Sequence, residues 1–202
     1  LLVIKYFDNI SVDLILGLPG ATEKKWLQTL ENVVKFPVRH VSVYFLTLYD
    51  ETLLKRMIEK KELVVPDEDD LVLLYEKTVE YLDKNGFPQY EISNFSQRGF
   101  ESEHNQAYWD YKTYKGFGIA ASSFDGKRRT KNTEKLCDYL NGENLGSSEV
   151  LSDEDRLLER VMLGLRQRKK IDLRRMIYLV HGEKKEKLER TISELKRQAL
   201  LE

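Results

Sequence analysis

The chain has 202 residues, 41% hydrophobic and 33% charged, with a formal net charge of −1, enough for one domain or a domain and a half around a proper core and without the charge that draws a protein to nucleic acid or membranes. No apolar run approaches the roughly 18 residues of a membrane span, and no secretory signal opens the chain. A single cysteine, Cys137, excludes a disulfide framework and a CxxC zinc or iron–sulfur site within these residues, and its isolation fits a reducing cytoplasm.

The opening LLVIKYFDNI lacks a methionine, from which we expect residues to be missing at the front. SVDLILGLPG predicts a short buried strand over 12–16 ending in a Gly-Leu-Pro-Gly turn. Thr22 can cap a following helix whose apolar positions Trp26, Leu30, Val33 and Val34 share one face. HVSVYFLTLY, rich in β-branched and aromatic residues, predicts the next strand. Strand, helix, strand within about 35 residues is the repeat of a parallel α/β sheet joined by a right-handed crossover. Both strands are nearly continuously apolar, as expected with helices on one face and a packed interior on the other.

Asp67 then caps a long amphipathic helix with Leu71, Leu74, Tyr75, Val79 and Leu82 on its inner face, closed by Gly86. FPQYEIS predicts a third short strand. GFGIAASSF and KRRTKN flank Asp125-Gly126, a hairpin signal. A helix over 133–141 follows, then NGENLGSS reads as a linker. From Ser152, with Asp155 completing an approximate capping box, the pattern is helical: a face through Leu157, Val161 and Leu165, then IDLRRMIYLV, a turn at His181-Gly182 and a last helix through Leu195. Residues 151–202 carry 14 Lys+Arg against 10 Asp+Glu, a net of +4 that leaves −5 for the rest. That shift predicts a boundary between residues 1–146 and a basic helical domain over 147–202.

Several residues are candidates for chemistry. Asp13 lies within an apolar strand, so it either pairs with a polar group of a neighbouring strand or faces a ligand at the strands' C-terminal mouth. The small residues of YKGFGIAASSF make either a close backbone approach or a wall for a flat ligand. Glu91, Ser93 and Asn94 read as turn chemistry. His104 in HNQAYW is either a hydrogen-bonded imidazole in a partly buried loop, a proton-transfer group or an axial ligand of haem iron; Tyr108 and Trp109 suit stacking on a macrocycle or packing in a core. His40 begins a strand and His181 lies in a helical turn, neither with sequence neighbours that suggest chemistry. RQRKK, at 166–170, is a solvated helix end or a nucleic-acid contact.

Taken in order, SVDLILGLPGAT, HVSVYFLTLYDET, YEISNFSQRGFESEHNQAYW and YKGFGIAASSF resemble the oxygen-independent coproporphyrinogen III oxidase-like family of radical S-adenosylmethionine (SAM) proteins. The HNxxYW pattern resembles its haem-chaperone branch. The resemblance covers about residues 1–132, and the last fifty residues resemble the family's truncated C-terminal winged-helix-like domain. It implies an α/β fold: the last two strand–helix units of a partial (β/α)6 radical SAM barrel with a small hairpin region, followed by a helical domain. It also implies that the CxxxCxxC loop holding a [4Fe–4S] cluster lies ahead of Leu1. Cys137 cannot replace three cysteines, so this chain alone is expected not to cleave SAM.

By the same resemblance, Asp13 and Thr47 are SAM contacts, and Ala121 and Ser122 border the adenine. His104, Asn105, Tyr108 and Trp109 match HNxxYW and are expected to handle haem, with His104 the candidate iron ligand. The implied ligands are haem or porphyrin, and the implied partner is a haem-recipient protein; the alternatives are a genuine coproporphyrinogen III dehydrogenase, or a nucleic-acid or protein-binding tail, with nucleic-acid binding weakened by the missing wing and the net −1. Two departures stand out. GxGxGAHS of the family is here Gly116 to Ser123, with Ala120 for a glycine and Ser122 for the histidine; ESRHN is here ESEHN, with Glu103 for the arginine.

Overall fold

The computed structural model describes residues 2–143, 145–169 and 182–199. The chain forms two compact units, Leu1–Ser102 and Glu103–Glu202. The first holds β1 (Ser11–Leu16), α1 (Glu23–Val34), β2 (His40–Phe45), α2 (Leu53–Glu59), α3 (Glu68–Lys84), β3 (Gln89–Glu91) and β4 (Asn94–Ser96). β1 and β2 are parallel and linked through α1, as the sequence pattern requires, and the sheet order is β1-β2-β4-β3. The third strand departs from a simple continuation. It is the first arm of a tight hairpin whose second arm, β4, runs antiparallel to β2.

Pleating divides this sheet into two chemically different faces. Val41, Val43 and Phe95 point into the core with Leu16, joined by Trp26, Leu30 and Val33 of α1 and by Leu74 and Leu82 of α3. Trp26 ties the two helices together, its indole N–H donating to Thr78 Oγ1 at 2.7 Å, while Thr78 donates to Leu74 O. Both predicted caps form: Thr22 accepts from Lys25 N and Asp67 from Asp70 N, each satisfying an otherwise unpaired first-turn donor. The other face is polar, carrying Ser11, Asp13, His40, Ser42, Asn94 and Ser96 by register. The expected packed apolar interior on that side is absent from β1 and β2 except at Ile15 and Tyr44, both about half exposed.

The second unit contains α4 (Glu103–Trp109), β5 (Ser122–Phe124), β6 (Arg128–Asn132), α5 (Leu136–Leu140), β7 (Leu145–Val150), α6 (Asp153–Leu165) and α7 (Glu183–Arg197). The Asp125-Gly126 hairpin forms, with Gly126 at φ +99 and Asp125 Oδ1 accepting from the amides of Lys127 and Arg128. Two elements differ from expectation. HNQAYW is a helix rather than a loop. The stretch read as a Gly/Ser/Asn linker enters β7, which pairs antiparallel with β6, so the expected division at 146/147 falls inside a strand. A Cβ on Gly146 would stand 2.8 Å from Asn132 O, so this glycine serves a close approach at a β-bulge rather than a flexible connection.

The Ser152–Asp155 capping box at the start of α6 forms as predicted. Leu157 is buried there together with Gly164, while Leu165 is exposed. The predicted helix over 171–180, the His181 half of the turn and the final residues 200–202 lie outside the described residues.

Candidate functional site

The polar face of the first unit is organised in two rows set by strand register. In the first, Ser11 lies opposite His40 and His40 opposite Ser96. His40, for which the sequence offered no partners, has one on each ring nitrogen: Ser11 Oγ lies 2.8 Å from Nδ1 and Tyr90 OH 2.8 Å from Nε2. Only sheet register could have exposed these pairings, since the partners are 29 and 50 residues away in sequence. Burial holds the imidazole below its ordinary 6.5, against a smaller upward pull from the Asp13 carboxylate. The unfolded chain therefore binds this proton more readily than the folded one. The stability contributed by neutral His40 is complete above pH 6.5 and is lost as the pH falls below it. Urea midpoints measured across about pH 5–8 should fall on the acid side, and His40→Gln should remove that part of the slope.

In the second row, Asp13 lies opposite Ser42, Ser42 opposite Asn94, and Asn94 opposite Glu91. Asp13 is exposed, and it also borders a cleft of about 380 Å³ formed with Leu14, Leu18, Pro19 and Lys25. Lys25 Nζ donates to Gly20 O at 3.0 Å, fixing the Gly-Leu-Pro-Gly turn to the first turn of α1. Thr47 is exposed in the loop just after β2. Thr47 therefore stands just past the C-terminal end of a parallel strand, where open α/β sheets hold ligands, whereas Asp13 lies in the middle of β1.

In the second unit, His104 is exposed on the first turn of α4, and its ring meets the edge of Tyr108 at a centroid distance of 4.9 Å. Tyr108 meets Tyr114 at 4.8 Å. Trp109 has one ring face covered by the Arg166 guanidinium at 4.7 Å, and its indole N–H is buried without an acceptor. Asn105, the neighbour of His104, is half-buried. Behind α4, Glu159 accepts both from Arg129, at 2.8 and 2.9 Å, and from Tyr111 OH at 2.7 Å. Burial and then this bond raise the Tyr111 phenol well above its ordinary 10.0, so it stays a donor.

Ala121 and Ser122 belong to a segment held through its backbone. Gly116 N donates to Ser123 Oγ, Gly118 N to Tyr139 OH, and Asn132 Nδ2 to Gly118 O. The four residues expected to contact SAM are thus divided, Asp13 and Thr47 in the first unit and Ala121 and Ser122 in the second; the four expected to contact haem share α4.

Among the described residues, no group of three or more His, Cys, Asp and Glu is placed to hold a metal ion. The chain's one cysteine, Cys137, is exposed, and one thiol does not fit a three-thiolate cluster site. A haem fits differently, because its iron takes a single protein imidazole and His104 presents one. No described helix is long and apolar enough to cross a membrane.

The chain is 38% identical over 165 residues to a Lactococcus lactis protein named heme chaperone HemW, and 33% identical over 166 residues to the Bacillus subtilis protein of that name. Each match covers 80% of this chain and 44% of the relative, so the chain spans less than half the length of either. A zebrafish protein named radical S-adenosyl methionine domain-containing protein 1, mitochondrial, is 37% identical over 113 residues, 56% of this chain and 26% of that one. Among solved structures, the chain resembles one described as coproporphyrinogen III oxidase (HemN) from Escherichia coli, a radical SAM enzyme, with TM-score 0.68 at 20% identity over 82% of this chain and 42% of that one. The fold is therefore part of a radical SAM fold. No family model matches the chain.

Proposed function

We propose that this chain, homologous over four-fifths of its length to proteins named heme chaperone HemW, acts in haem or porphyrin handling by binding haem and presenting it to a recipient protein. One observation carries the reading. A match covering 80% of the chain necessarily spans residues 104–109, and there the structure has an exposed histidine on a helix, with no hydrogen bond to its ring nitrogens among the described residues. An imidazole whose nitrogens carry no protein hydrogen bond can bind iron without breaking one. His104 would take the iron, with Tyr108 beside it against the macrocycle and Asn105 and Trp109 supporting the helix. By the resemblance, Asp13 and Thr47 in the first unit, and separately Ala121 and Ser122 in the second, are the candidate contacts for SAM. Only one cysteine is present, so no step that depends on an iron–sulfur cluster is assigned to these residues. The cytoplasm is the matching compartment, since a lone exposed thiol suits a reducing environment.

Titrating haem into the chain while following Soret absorption tests this. The wild-type chain should give a saturable shifted band, and His104→Ala should weaken binding at least tenfold. Identical spectra and affinities for the two would remove His104 as the ligand.

A further inference from the structure

The helix that carries His104 ends in a residue that its own backbone disfavours. Tyr111 N donates to Tyr108 O at 3.0 Å and Lys112 N to Ala107 O at 2.9 Å, the paired bonds of a helix terminus closed by a left-handed residue. Glycine is the usual occupant of that place, yet Tyr111 holds it at φ +58. A tyrosine kept in a costly backbone state by its surroundings points to a use for its side chain.

Those surroundings are specific. The Tyr111 ring meets Phe124, 3% exposed, at 4.7 Å, and Phe124 lies 6.1 Å from the ring of Tyr114. Tyr114 is pinned beside Phe124 by reciprocal backbone hydrogen bonds of 2.9 Å. Tyr108 and then the exposed His104 continue the succession at 4.8 and 4.9 Å. At its inner end the Tyr111 hydroxyl donates to Glu159 Oε2 at 2.7 Å, and the Arg160 guanidinium stands 5.0 Å over the ring. A phenol gives up an electron most easily where a base takes its proton in the same event, and Glu159 is that base. Arg160 repels a cationic ring, so this site holds a missing electron only as the neutral radical, after the proton has left. The Glu159 side chain is 25% exposed, so it can pass the proton to water and resume its pairing with Arg129.

We propose that the rings of His104, Tyr108, Tyr114, Phe124 and Tyr111 form a one-electron relay whose sink is the Tyr111–Glu159 pair, drawing oxidising equivalents away from an oxidant held at His104. In the step the Tyr111 O–H bond breaks. Its electron passes through Phe124, Tyr114 and Tyr108 to the oxidant, which is reduced; its proton goes to Glu159 Oε2 and on to water. The oxidant is hydrogen peroxide at a bound haem, which takes two electrons and two protons to give two waters. The relay supplies one electron and the haem the other, and the proton that Tyr111 releases is one of the two. For this oxidant the inference rests on the assignment of haem to His104; the sink itself does not. Its use is protection, since a haem carrier that meets peroxide otherwise spends the oxidation on the macrocycle or on the histidine.

Electron paramagnetic resonance on the full chain tests this with two oxidants. Hemin-loaded chain is mixed with equimolar hydrogen peroxide and frozen; separately, hemin-free chain is oxidised by flash-generated tris(bipyridine)ruthenium(III). Both should give a tyrosyl radical that outlives those of exposed tyrosines such as Tyr6 and Tyr49. Tyr111→Phe, which keeps the ring, should lose the long-lived signal with either oxidant, and Tyr114→Phe should lose it with peroxide. Glu159→Gln keeps the shape and still accepts from the hydroxyl but is no base, so its radical should decay before freezing. Matching circular dichroism spectra show that these conservative variants keep the fold. If hemin does not bind, while the ruthenium signal appears and vanishes in Tyr111→Phe, the haem reading fails and the sink stands. A long-lived signal that persists in Tyr111→Phe or Glu159→Gln, or its absence from the wild-type chain with ruthenium, overturns the sink. An undiminished peroxide signal in Tyr114→Phe overturns the relay.

Discussion

Replacing Trp26 with alanine is expected to destabilise the first unit by about 4 kcal/mol, measured as a drop in the urea midpoint at unchanged slope. The indole is 6% exposed and stands among Leu30 and Val33 of its own helix and Leu74 and Leu82 of α3. Removing it leaves a cavity that two capped helices, each anchored to the sheet, cannot close. It also removes the one buried side-chain hydrogen bond between those helices, from Trp26 Nε1 to Thr78 Oγ1. Smaller changes separate these effects. Trp26→Phe keeps most of the volume and should cost about 1–2 kcal/mol; Thr78→Val keeps the shape but strands the indole N–H, at a similar cost of about 1–3 kcal/mol. In the double variant Trp26→Phe/Thr78→Val both partners are apolar, so its loss should be smaller than the sum of the two. Additive losses would show that the bond contributes nothing beyond packing.

What was legible in the sequence follows from the range over which each interaction acts. Thr22, Asp67 and Ser152 cap helices three residues away, so their roles show in any short window. The Asp125-Gly126 turn is equally local. The strand at 145–150 was hidden because it is stabilised by β6 rather than by its own residues. Gly146 and Ser147 have weak strand preference, and pairing overrides it. The helix at 104–109 was obscured by its aromatic residues, which are poor helix formers in isolation but here stack on Tyr114 and Arg166. The same distinction applies to the site. Asp13 drew notice because a charge in an apolar strand is locally anomalous. Glu91 and Asn94 passed as turn residues, since their unmet hydrogen bonds emerge only when four strands bring the row together. For Trp109 the sequence left stacking on a macrocycle and core packing both open, because the Arg166 guanidinium that covers its ring lies 57 residues on.

The segment from Gly116 to Ser123 yields two substitutions with opposite expected signs. Gly116→Ala should cost about 3 kcal/mol, because a Cβ there would stand 2.3 Å from Ser122 O and 2.9 Å from Ser122 N. Those are backbone atoms at the start of β5, which is fixed to β6 by Ser122–Lys131 and Ser123–Thr130 pairing, so neither side can yield cheaply. Ala120 is the reverse case. It holds φ +57, a left-handed conformation that burdens any residue with a Cβ, yet its amide donates to Thr133 O at 2.8 Å and keeps it there. Ala120→Gly, which restores the residue at that place in the resembling GxGxG pattern, relieves the strain but gives the unfolded chain more freedom. The net should be a gain of about 0.5–1 kcal/mol. Chemical denaturation of both variants checks the pair. Equal losses at the two positions would mean that the segment tolerates no change at all; a loss at 116 with a gain at 120 locates the close approach at the first glycine and leaves the backbone conformation at Ala120 as strain the fold can shed.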